Sequence, residues 1–171
     1  EKVAFIYSQK KFQTVGPMGT FSSQGAAGNR YPYVRALIAQ QMRCLASGNT
    51  FVFAVAHYDH SKNNSISKIE LGLANMLVDM GLQGMSFICC CDTNLDLTHT
   101  KGKTVIVTNR TTTCCRGANV LNNIGSFDQV LVSNGMKVIS TMSYDDAPFW
   151  NAVNFAQASD HMPVACRVKI G

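Results

Sequence analysis

Apolar residues recur in short β-rich runs along most of the chain, and in one stretch at helical spacing. Val3-Ala4-Phe5-Ile6-Tyr7 reads as a strand, and the Gly- and Ser-rich stretch from Gly16 to Asn29 reads as a loop. Tyr33 to Leu45 suits a strand or a short helix by periodicity. Phe51-Val52-Phe53-Ala54-Val55-Ala56 is a buried strand that ends at His57. Ser61 to Asn64 form a polar turn with capping residues. Beyond it, apolar residues at Ile66, Ile69, Leu73, Met76, Leu77 and Met80 mark an amphipathic helix, with Gly81 and Gly84 as stop signals. Met85 to Cys91 is nearly all apolar, so it predicts a strand covered on both faces that ends at Asp92. Thr104 to Thr108 predicts a short strand. Phe127 to Ser133 and Met136 to Met142 flank Asn134-Gly135 and predict a hairpin. Met162 to Ile170 predicts the last strand. There is no internal repeat and no linker, so residues 1–171 read as one domain of packed sheets with helices outside.

Composition narrows the class. The chain has 171 residues, 46% of them hydrophobic and 15% charged, which excludes a disordered polymer and allows a substantial core. No apolar run approaches the ~20 residues of a membrane-spanning helix, and no secretory leader opens the sequence. Because it opens on Glu1 rather than Met, the chain is expected to be a processed product or a fragment. Fifteen Lys and Arg against ten Asp and Glu give a net charge of +5, which permits a polyanionic partner. The basic residues are scattered, with no block that would read as a nucleic-acid tail. Seven cysteines, five of them in adjacent runs and none in C-x-x-C spacing, read as strand thiols rather than a disulfide framework or zinc ribbon. Asn63-Asn64-Ser65 and Asn109-Arg110-Thr111 fit the glycosylation sequon. Low charge with abundant Ser, Thr and Asn leans toward secretion, while the unpaired cysteines lean the other way.

Polar residues gather where strands end. His57 follows one strand, Asp92 and Asn94 follow the next, Asp128 sits near the start of a third, and Asp160-His161 precede the last. Strand ends let a rigid scaffold converge short side chains on one spot. Carboxylates hold a hard divalent ion, histidines move protons near neutral pH, and Asn orients a water or a phosphate oxygen. The set suits hydrolysis of a phosphate ester. His57-x-x-His60 with Asp59 has poor spacing for zinc at a strand end, and Asp145-Asp146 reads as a solvated turn. The chain has no G-x-S-x-G, Walker lysine loop, H-E-x-x-H or G-x-G-x-x-G.

Four of these segments carry a resemblance. Ser159-Asp160-His161-Met162-Pro163-Val164 resembles the closing S-D-H-x-P-V signature of the endonuclease/exonuclease/phosphatase superfamily, the deoxyribonuclease I-like fold. Cys91-Asp92-Thr93-Asn94 resembles its G-D-x-N motif with Cys in place of Gly. Phe127-Asp128-Gln129-Val130 resembles its aromatic-Asp strand, and Ala54-Val55-Ala56-His57 its strand ending in histidine. The four occur in family order over nearly the whole chain. Glu1 to Phe5, Arg30-Tyr31-Pro32 and Ala147-Pro148-Phe149 are similar to the deoxyribonuclease I branch.

The resemblance implies a four-layer α/β/β/α sandwich of two packed mixed sheets with its N-terminal part missing. It also implies a Mg²⁺-dependent (or Mn²⁺- or Ca²⁺-dependent) phosphodiesterase, in the first place a DNA endonuclease. His57 paired with Glu1, and His161 paired with Asp128, would transfer protons. Asp92 would align the attacking water, Asn94 and Arg30 would hold substrate phosphate, and Asp160 would bind the metal. The family's principal metal-binding Glu lies on a strand before the point where this chain starts. Glu70, between Ile69 and Leu71, reads as a solvated helix face and does not replace it. A longer polypeptide or a second chain is therefore expected to complete the fold. The alternatives are a scaffold or binding module that has lost activity, a split enzyme, and a lipid or phosphoinositide phosphodiesterase.

Overall fold

The computed structural model describes residues 3–23, 30–109, 114–115, 123–142, 161 and 164–170. A six-stranded mixed sheet is its centre. The strands are β1 (Phe12–Phe21), β2 (Val34–Cys44), β3 (Thr50–Tyr58), β4 (Phe87–Asp92), β5 (Val105–Val107) and, after the short pair β6 (Cys114–Cys115) and β7 (Asn123–Gly125), β8 (Asp128–Ser133). Their order is β1-β2-β3-β4-β8-β5, and only β3 and β4 run parallel. The crossover between those two is helix α1 (Ile66–Asp79). The last strands, β9 (Lys137–Met142) and β10 (Ala165–Lys169), form a separate antiparallel pair.

Two cores follow from the alternation of side chains along the strands. On one face Ala54, Ala56, Tyr58, Cys89, Cys91 and Leu131 pack with Ile69, Leu73, Met76 and Leu77 of α1. On the other, Phe51, Val130 and Val132 are buried with Phe53, Ile88 and Cys90 against Val164, Cys166, Val168 and Ile170 of the β9–β10 layer. The result is the expected α/β architecture of two packed sheets, described here as three layers: helix, large sheet, small sheet. The expected helical layer outside the small sheet is not among the described residues.

Several local expectations give way to tertiary constraints. Residues 3–8 join no sheet, although Phe5 packs edge-on to Phe53 with ring centres 5.4 Å apart and Ile6 points to solvent. The alternation of this segment reflects a strip lying on the sheet face rather than a strand. The first six residues of the expected Gly16–Asn29 loop, up to Phe21, belong to strand β1. Gly16, with φ +70°, sits in an irregularity between Val15 and Gly19, and the buried Gln40 amide donates to Val15 O and Gly16 O at 3.0 and 3.1 Å. Asn134-Gly135 is not a hairpin turn. Both edges of β8 are already taken by β4 and β5, so β9 leaves for the other sheet. The corner is pinned by Asn134 Nδ2, which donates to Lys103 O at 2.7 Å.

Glu70 also departs from expectation. It is buried, and its Oε1 accepts from Thr104 N (2.6 Å), Thr104 Oγ1 (3.0 Å) and Val105 N (3.1 Å). Helix periodicity identifies the apolar stripe but not a polar flank that meets the start of another strand. The helix ends as its glycines indicate. Gly81 takes φ +70°, and Leu82 N reaches back to Leu77 O at 2.8 Å.

Candidate active site

Sheet register builds the site. His57 is the partner of Asp92 across β3 and β4, and Asp92 is the partner of Asp128 across β4 and β8. The three residues therefore form one row across three adjacent strands. By alternation they share the face of Phe53, Ile88, Cys90 and Val130, so the row closes one end of the core between the sheets. His161, just ahead of β10, adds a fourth group from the opposite layer. Its Nδ1 donates to Asp128 Oδ2 at 2.8 Å. The four side chains are between 19% and 29% exposed, sheltered yet within reach of a substrate.

Asn94 ties the row to the loop after β4. Its backbone is left-handed, with φ +50°, a conformation that Asn tolerates better than most residues. Its N–H donates to Asp92 Oδ1 at 2.9 Å, closing an Asx turn. Its side-chain amide donates to Tyr58 O at 2.8 Å, which fixes the orientation of the amide, and Nδ2 lies 3.1 Å from His57 Nε2. An amide nitrogen only donates. This contact therefore makes His57 Nε2 an acceptor and places the proton of the neutral ring on Nδ1. Asp92 Oδ2 lies 3.5 Å from the same Nε2.

The electrostatics match the geometry. Burial raises the Asp92 carboxyl above the ordinary range. The Asn94 N–H works against that, the Asp128 charge adds to it, and the two imidazoles oppose it. One ligand atom from each of Asp92, Asp128 and His161 can be chosen so that all lie within 4.8 Å of one another. Two carboxylates this close are a donor set that fits a hard divalent cation.

The structure thus brings together His57, Asp92, Asn94, Asp128 and His161. Glu1 and Asp160 lie outside the described residues. Arg30 is placed elsewhere. Its guanidinium pairs with Asp79 at the end of α1, and its carbonyl accepts from Asn75 Nδ2 at 2.7 Å. A buried polar group beneath the row was missed by sequence reasoning. Thr93 Oγ1 and Thr93 N both donate to Phe127 O at 2.8 Å, and Ser126, Gln129 and Asn109 bond one another behind Asp128. The available signal was Gln129, a polar residue at an inward position of the apolar run Val130-Leu131-Val132. Buried Asn109 is also unsuited to the glycosylation its sequon suggests.

No protein-family profile and no curated protein sequence matches the chain. Solved structures do. A mannosyl-6-phosphatase from Bacteroides thetaiotaomicron superposes with a TM-score of 0.66 at 20% identity, over 95% of this chain and 69% of its own. An endonuclease/exonuclease/phosphatase family protein from the same organism gives 0.68 at 19% identity, over 95% and 67%. D. rerio TDP2, solved with a single-strand DNA product, gives 0.57 at 13% identity, over 94% and 70%. The sheet order, the strand-end row and these superpositions together establish that the chain carries the fold of the endonuclease/exonuclease/phosphatase proteins.

Proposed function

We propose that this chain is a divalent-metal-dependent phosphoesterase and, more finely, an endonuclease that hydrolyses DNA phosphodiester bonds. The observation that carries this reading is the His161–Asp128 pair at 2.8 Å, set in one row with Asp92 and His57. Asp128 holds His161 by its Nδ1–H, leaving Nε2 as the nitrogen that exchanges a proton with substrate. His57, accepting at Nε2, is a second proton-transfer group on the other side of Asp92. Asp92, raised above the ordinary range, is suited to orienting the attacking water. Asn94 sets the loop that holds Asp92, and the amide hydrogen directed at His57 Nε2 would turn to a phosphoryl oxygen when substrate binds. Asp92 and Asp128 would hold Mg²⁺, Mn²⁺ or Ca²⁺, with Asp160 as a further proposed ligand. Such an ion supplies positive charge against the charge that develops on the phosphoryl group.

DNA as substrate is supported by the net charge of +5 and by the DNA product bound to the TDP2 neighbour. A single domain completed by an upstream segment or a second chain is part of the same proposal. The reading of a scaffold that has lost activity draws on Glu70, whose carboxylate is committed to Thr104 and Val105 and serves no metal. The test is nicking of supercoiled plasmid with Mg²⁺, alongside phosphate release from a sugar phosphate. Mg²⁺-dependent nicking supports the nuclease. Phosphate release without nicking replaces it with a phosphomonoesterase. Neither activity leaves the scaffold.

A further inference from the structure

Gln129 is 1% exposed and lies on the α1-facing side of β8, level with Cys91 and next to Leu131. An apolar residue would be the ordinary occupant, because a buried amide is costly unless fully bonded. Gln129 is fully bonded. Its Oε1 accepts from Asn109 N at 3.1 Å. Its Nε2 donates to Ser126 Oγ (2.8 Å), Asn109 O (3.1 Å) and Ser126 O (3.2 Å). Asn109 in turn donates from Nδ2 to Ser126 Oγ at 3.2 Å and to the carbonyl of Asp128 at 3.3 Å.

These bonds join two segments outside the strand ladder, the exit from β5 and the approach to β8. Asp128 is the first residue of β8. Its register with Asp92 holds it from the β4 side, where Thr93 N and Leu97 N also donate to Phe127 O and Ser126 O just before it, and the Gln129 bonds fix the same approach from the β5 side. We infer that Gln129 is a positioning residue, which clamps Ser126 and Asn109 so that the Asp128 carboxylate keeps its aim at His161. The inference rests on the phosphoesterase reading of the row. Reacting groups need placement to well under an ångström, and a misplacement of about 1 Å is enough to cost ~100-fold in rate.

The test is a double-mutant cycle in plasmid nicking, with rates normalised to folded protein. Gln129→Met, similar in volume and without the amide, is expected to lower kcat about tenfold and change KM less than about twofold, as a placement effect should. In an Asp128→Asn background the same change is expected to cost less than about twofold, because its route to catalysis has gone. An equal tenfold loss in both backgrounds assigns Gln129 to stability alone and overturns the inference. A second readout is independent of activity. The hydrogen-bonded Nδ1–H proton of His161, seen by NMR in the native protein, is expected to broaden or move upfield in Gln129→Met. If Asp128→Asn alone leaves nicking intact, the phosphoesterase reading fails and the NMR signal decides for Gln129, an unchanged signal overturning it. Should Gln129→Met not fold, Ser126→Ala removes only one acceptor of the clamp and is expected to shift the same signal. An unmoved signal there overturns the inference.

Discussion

Asp92 and Asp128 are direct register partners on antiparallel strands β4 and β8, so two carboxylates stand side by side on one face of the sheet. Like charges opposite one another destabilise a sheet. Fold stability gives no reason for the arrangement, whereas a site that binds a cation does.

The first prediction concerns pH. Burial, with the Asp128 charge adding to it, raises Asp92 above its unfolded value. The native state therefore keeps a proton that the unfolded chain has lost, in a window opening near the ordinary carboxylate value of about 4. There the unfolded state binds fewer protons, so stability falls as pH rises through the raised value. In EDTA at pH 7, Asp92→Asn is expected to melt a few degrees above the parent, and the gap should close below about pH 4. Melting curves across that range check this. An Asn variant that melts lower at pH 7 would contradict the assigned strain.

A second prediction separates chemistry from folding. His161 is partly exposed and lies outside both apolar cores, so His161→Ala should fold normally and lose at least about 100-fold in hydrolysis, the usual scale of a general acid or base. EDTA should remove the activity and Mg²⁺ restore it. Full activity of His161→Ala on supercoiled plasmid would remove the residue from the mechanism.

The sequence showed where strands end and helices begin because those boundaries are local. The expected strands Phe51–Ala56 and Met85–Cys91 are β3 and β4; Asp92 closes β4 as expected, and β3 runs one residue past His57 to Tyr58. The alignment of His57 and Asp92 into one row was not legible, because register is a contact between distant segments. The Asn134-Gly135 corner failed for the same kind of reason. A local turn signal cannot know that β4 and β5 already flank β8. Glu70 and Gln129 were missed because a polar residue in an apolar pattern looks solvated until its buried partners are known.

The third prediction tests Glu70 as a fastener. Its carboxylate is bound by two backbone N–H groups and one hydroxyl at the start of β5, with the residue 8% exposed. Glu70→Ala leaves those donors without that acceptor, a loss of about 1–3 kcal/mol for a buried group. Urea unfolding should show the loss as a lower midpoint. Because Glu70 lies beside β5 and not in the row, the rate per folded molecule should stay within about twofold. A large fall in that rate would bring Glu70 back as a catalytic or metal-binding candidate.

The last prediction uses the left-handed backbone of Asn94 to divide its two roles. At φ +50° glycine is unstrained, while alanine costs about 1–2 kcal/mol. Both substitutions remove the amide that donates to Tyr58 O and approaches His57 Nε2. Asn94→Gly should therefore be the more stable of the pair by about 1 kcal/mol in chemical unfolding. If the amide serves the reaction, the two variants should be equally slow, each at least about tenfold below the parent. Their stabilities would differ while their rates coincided. A glycine variant that keeps the parent rate would mean that only the turn matters, and the amide would then leave the list of groups that meet substrate.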